Sequence, residues 1–124
     1  SGKPSAGPFE VVWDKTPCAA CGMHVGEPPF AAQLTTQDGA THAFDDPGCL
    51  FLFVAEQQPA IHTVFFHHHA EPRWIAERDV AFLPVEKSPM GFGLAATDAS
   101  IRGAVDCDEA RRKCLERTSG HGGK

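Results

Sequence analysis

Two thiols and a thioether fall within six residues, Cys18-Ala19-Ala20-Cys21-Gly22-Met23. The Cys-x-x-Cys spacing suits half of a zinc site or a thiol–disulfide redox pair. Met23, two residues after Cys21, adds a thioether that one turn can aim at the same ion, and thiolate with thioether selects Cu(I) by softness. The alternative for Met23 is core filling, the usual work of methionine. A structural zinc site wants four ligands, and the chain has no second Cys-x-x-Cys. Cys107 and Cys114, seven residues apart, would be separated by about 10.5 Å of helical rise, too far to bridge each other. Redox catalysis expects the motif at the start of a helix, whereas Gly22 and Pro28-Pro29 predict a loop. A thiol oxidoreductase cycling Cys18 and Cys21 therefore stands as an alternative reading.

Further ligands have to come from elsewhere. Met90, the second of two methionines, sits in Pro89-Met90-Gly91, where glycine permits close backbone approach. His24 follows Met23 directly, and His42 is a candidate for the same pocket. Cys49 falls in the first turn of an expected helix, where the macrodipole favours a thiolate, but its apolar surroundings read as a buried, unligated cysteine. His67-His68-His69 would put His67 and His69 on one strand face, a second site for Cu(II) or zinc in a sensor or storage module, or solvated residues at a strand end. Asp45-Asp46 reads as helix capping. Five cysteines is an odd number, so at least one thiol is left over from any internal pairing.

The chain must supply elements to hold these groups. At 124 residues with 42% hydrophobic content, it has enough apolar surface for one compact domain or two small half-domains. A formal charge of −5 lacks the basic excess of a nucleic-acid binder, and no apolar run approaches a membrane span. No nucleophile-elbow, phosphate-loop or His-Glu-x-x-His motif occurs, so no enzyme is expected. Residues 1–8 and 118–124 are small and polar and read as tails. The opening Ser1-Gly2, without methionine, looks like the scar of a removed tag on a shortened chain, in which case any signal peptide or lipid anchor would lie outside this sequence.

Residues 9–13 suit a short strand. Alternation over residues 30–36 and 40–44, around Asp38-Gly39, predicts a hairpin with a type I′ turn. Asp45-Asp46-Pro47-Gly48 then opens a helix over residues 49–58, apolar almost all round and so buried, and residues 61–66 return as a strand. The first unit, residues 9–66, reads β-β-α-β and carries the cysteine loop. A second, residues 67–117, repeats this loosely, with strands at 80–85 and 92–96 and a helix at 106–117 that turns Ala110 and Leu115 inward. The expected class is α+β, built of two small β-β-α-β half-domains.

The ordered segments Cys18-x-x-Cys21-Gly22-Met23, Pro29-Phe30-Ala31-Ala32-Gln33, His42-Ala43-Phe44-Asp45-Asp46 and Pro89-Met90-Gly91 resemble the NosL family over about residues 10–98. Those proteins are accessory lipoproteins of nitrous oxide reductase assembly. The resemblance implies the paired half-domains, a lipid-anchored location on the periplasmic side, and a single Cu(I) held by the Cys-Gly-Met sulfurs, here Cys21 and Met23. A third ligand would come from Met90, His24 or a neighbour, with Cys18 auxiliary or in a disulfide. It further implies a monomeric metallochaperone that delivers copper to the apo-reductase or its assembly machinery. No lipid-modified cysteine stands near the start of this chain, and its last part runs into a helix with Cys107 and Cys114, without a clear final strand.

Overall fold

The computed structural model describes residues 3–122. Two antiparallel sheets and two helices make up an α+β fold. The first sheet has the order β2-β1-β3-β4, from β1 (Ala32–Thr36), β2 (Thr41–Phe44), β3 (Ile61–His67) and β4 (Trp74–Ala76). The second has the order β6-β5-β7, from β5 (Val80–Pro84), β6 (Leu94–Asp98) and β7 (Val105–Asp106). Helix α1 (Pro47–Gln57) contacts β1, β2 and β6, and helix α2 (Cys107–Gly122) lies against α1, β5 and β7.

The first unit runs β1-β2-α1-β3 as expected. Its hairpin closes differently: Gly39 has φ +93° while Asp38 stays at negative φ, which excludes a type I′ turn. Gly39 N donates to Thr36 O, and Thr36 N to Ala40 O, the pattern of a type I turn followed by a left-handed glycine. The Asp38 side chain takes the Ala40 amide at 3.1 Å and the Thr36 hydroxyl, anchoring a residue that no longer needs positive φ.

Residues 9–13 form no strand. The buried Gln33 side chain takes both backbone groups of Phe9, Oε1 accepting from its N–H at 2.8 Å and Nε2 donating to its carbonyl at 2.9 Å. That satisfies the two groups a sheet ladder would have used. The chain then turns at residues 12–16, with Thr16 N donating to Val12 O.

The second unit is less regular than its expected pattern. β4, drawn from residues that looked like its beginning, pairs with β3 in the first sheet. A third short strand, β7, precedes α2, so the element order from residue 80 is β-β-β-α. Helix α2 begins where the Asp106 carboxylate accepts from Glu109 N at 2.8 Å, and it runs through residues read as a tail. Pairs of Arg112 with Glu109 and Glu116, and of Lys113 with Glu109, line its exposed face at helical spacing. Its buried stripe is Cys107, Ala110 and Cys114, with Leu115 half-buried.

Three rings join the layers. Phe51 of α1, Phe66 of β3 and Phe82 of β5 are buried with centroids 5.0–5.9 Å apart, mostly edge-to-face, the arrangement aromatic quadrupoles favour. Phe92 closes the start of α1 from the other side, where Gly48 leaves no room: a Cβ there would lie 2.0 Å from Phe92 Cγ. Gly48→Ala is therefore expected to lower stability by about 2–3 kcal/mol through forced ring displacement. A urea melt checks this, and an unchanged midpoint would contradict it.

Candidate metal centre

The cysteine loop is a small closed hairpin laid on the first sheet. Cys18 N donates to Met23 O at 2.6 Å and Gly22 N to Cys18 O at 2.9 Å, with Gly22 supplying φ +80°. Ala19 N donates to Ala43 O, docking the loop beside the end of β2, two residues before Asp45. No helix follows Cys21, so the helix N-terminus that redox pairs use to stabilise a thiolate is not attached to this motif.

A helix N-terminus arrives instead from α1. Asp46 is its N-cap, accepting from Gly48 N at 3.1 Å, and Pro47 starts the first turn. Asp46 also accepts from the Ser88 hydroxyl at 2.6 Å and from Met90 N at 2.9 Å, tying the Pro89-Met90 loop to the helix. With Asp46 occupied, Asp45 is free to face the cysteine loop. Cys49, one turn further on, faces the same way.

Cys18, Cys21, Asp45 and Cys49 thus converge, one ligand atom from each lying within 4.8 Å of all the others. Cys21 Sγ is 3.5 Å and Cys49 Sγ 3.6 Å from Asp45 Oδ1. Cys18, Asp45 and Cys49 are buried, while Cys21 is half-buried. All five cysteines are free thiols, so no Cys18–Cys21 bridge exists here.

These groups perturb one another. The neighbouring Cys49 thiol holds the Cys18 pKa well below the ordinary thiol value, helped by backbone amides of Cys21, Asp45 and Ala20 against the cost of burial. The same contact, with burial, pushes Cys49 strongly up. Burial likewise raises Cys21, with the neighbouring Cys18 and Asp45 charges adding to it. Burial and the Cys18 charge raise Asp45. Of the three thiols in the pocket, Cys18 is therefore the one that ionises most readily, while burial and the neighbouring charge hold Cys21 and Cys49 back.

Thiolate absorbance is expected to show one group ionising on the acid side of the unfolded thiol's pKa of about 8.5, with Cys18→Ser removing that step. Because the folded value is lowered, the Cys18 contribution to stability is complete above about pH 8.5 and is lost as pH falls through the folded value. Cys114 and Cys107, pushed by burial to about 11 and about 12, act oppositely. Their contribution is complete below about pH 8.5 and lost in alkali.

The other expected ligands lie around the pocket or away from it. Met23, 60% exposed, and His24, also exposed, line an open cleft of about 260 Å³ with Asp14, Gly26, Glu27, Asp45 and Pro89. Met90 is 40% exposed and lines a different cleft, with Gly91, Phe92, Arg117 and Thr118. His42 packs its ring on Phe53, 5.1 Å between centroids.

His67 and His68 are buried and His69 is half-buried; the three line an open cleft with Trp13 and Pro28, and they are not gathered with other metal-ligating groups among the described residues. His67 is wedged edge-on against Trp13 and Trp74. His68 Nδ1 accepts from Ala70 N and Glu71 N, and His69 stacks on its ring. Burial and Arg73 lower the His68 pKa.

Asp45 and Cys49 were not foreseen as site residues. The signal was present in their spacing of four across a helix start, but Asp45-Asp46 has two carboxylates and a cap uses one. The spare acid and the thiol one turn on were the pair to notice.

The fold and the pocket define a class: a small α+β protein with a partly open cluster of three thiols and a carboxylate suited to a thiophilic cation. No family model and no curated protein matches the chain. Among solved structures, its fold is similar to that of the copper chaperone NosL from Shewanella denitrificans, with a TM-score of 0.60 and 19% identity over 92% of this chain and 89% of that one.

Proposed function

We propose that this chain is a metallochaperone that carries one Cu(I) and delivers it to a copper enzyme during assembly, with nitrous oxide reductase as the recipient. The observation that carries this reading is the convergence of the Cys18, Cys21 and Cys49 sulfurs in one pocket. Thiolates prefer soft cations, and a monovalent ion relieves the charge that keeps the apo-thiols protonated. The positive end of α1 adds to the relief. Likeness to the fold of a copper chaperone supports the same reading.

Cys18 and Cys21 are the thiolate ligands, with Cys49 beneath them. Met23 and His24, at the mouth, are exchangeable ligands that meet the recipient, while Met90 stays in its own cleft. The protein acts as a monomer on the periplasmic side of the membrane, held there by a lipid anchor. Among the described residues no helix is long and apolar enough to cross a membrane.

The test is a Cu(I) titration of the reduced protein against a chromophoric chelator. One ion per chain is expected, with binding lost in Cys21→Ala and weakened roughly tenfold in Met23→Ala. Parent-like affinity in both variants would overturn the assignment, and failure of the loaded protein to transfer copper to apo-reductase would overturn the recipient.

A further inference from the structure

The cysteine loop offers half of a tetrahedral site, and the fold supplies the other half from Asp45 and Cys49 at the start of α1. The four ligand atoms are three sulfurs and one oxygen, all within 4.8 Å of one another. A tetrahedral zinc ion, with Zn–S of about 2.3 Å and Zn–O of about 2.0–2.2 Å, sets S···O edges of about 3.5–3.7 Å. The separations of Asp45 Oδ1 from Cys21 Sγ and Cys49 Sγ are 3.5 and 3.6 Å. Two edges of the tetrahedron are therefore already at bonding length.

The donor set also distinguishes the ions. Cu(I) bonds to the sulfurs and gains little from a carboxylate oxygen, whereas zinc accepts both. Three thiolates and a carboxylate carry four negative charges, so a divalent ion offsets twice what Cu(I) does, and the thiol protons leave to solvent. The buried Asp45, which adds only repulsion to a purely sulfur site, then becomes a ligand.

We propose that the pocket of Cys18, Cys21, Cys49 and Asp45 also takes Zn(II), as a closed four-coordinate site of three thiolates and one carboxylate that competes with copper. This inference rests on the copper reading for its pocket and departs from it in needing Asp45.

The experiment titrates the reduced full chain with Co(II) and Zn(II), and in parallel with Cu(I), in the parent and in Asp45→Ala. One Co(II) per chain is expected, with thiolate charge-transfer absorption and the intense visible bands of a tetrahedral ion, and Zn(II) should displace it. X-ray absorption on the unaltered zinc form should count three sulfurs and one oxygen, a readout that does not depend on the variant folding. Asp45→Ala should lose roughly tenfold to a hundredfold more in Zn(II) affinity than in Cu(I) affinity. A weak octahedral Co(II) spectrum, a zinc shell without the oxygen, or equal loss for both metals would overturn the zinc site. Zinc bound as described with no Cu(I) uptake would instead sink the copper reading alone.

Discussion

Asp46→Ala is expected to lower the unfolding free energy by about 3–5 kcal/mol, because one fully buried carboxylate serves three donors. Losing the N-cap of α1 alone costs about 1 kcal/mol. The Ser88 hydroxyl and the Met90 amide, which bond Asp46 at 2.6 and 2.9 Å, would each lose their acceptor, and a hydrogen bond from such a part-buried donor to a charged group contributes about 1–2 kcal/mol. Asp46→Asn keeps an acceptor at the cap and should lose clearly less. Urea denaturation of the three proteins measures the difference, and an alanine variant within 1 kcal/mol of the parent, roughly the value of the cap alone, would show that the Ser88 and Met90 contacts contribute nothing. Under native conditions the same variant should bind Cu(I) more weakly, because the first turn of α1 aims Cys49.

Cys18→Ala is expected to reduce Cu(I) affinity roughly a hundredfold. The loop should survive, because its closing bonds run from the Cys18 backbone, N to Met23 O and O to Gly22 N, and alanine keeps both. What goes is the sulfur that ionises most readily. A variant that binds as tightly as the parent would mean Cys18 is not a ligand. One that binds weakly but also loses its circular-dichroism spectrum would point to a structural role for the residue. Chelator competition together with the spectrum separates these results.

The first unit was largely legible because its signals are local. Alternation marks β1 and β2, the Asp-Pro pair marks the start of α1, and Pro59 marks the end of the helix region. The turn was misread because Asp-Gly serves two hairpin geometries, and the choice lies in whether Asp38 is held by its own side-chain bonds. Residues 9–13 have strand-like composition, but a single buried amide 24 residues away, that of Gln33, satisfies the backbone first. β4 and β7 are three and two residues long, too short for any periodicity to register.

The site was half legible. Cys18 and Cys21 announce themselves by spacing, whereas Asp45 reaches Cys21 only because the loop docks on Ala43, a pairing set by sheet register. The same long-range geometry leaves Met23 at the rim and sends Met90 into another cleft.

Depth sorts the sulfurs. Cys18 and Cys49 are 2% and 3% exposed, while Cys21 is half-buried at the lip of the pocket. On the proposed reading, an approaching protein meets one sulfur before the other two, so the cargo changes hands one bond at a time. The ion is then bound by at least one partner throughout, and the barrier is divided into several small steps. A carrier graded in this way passes on its load without ever releasing it to water.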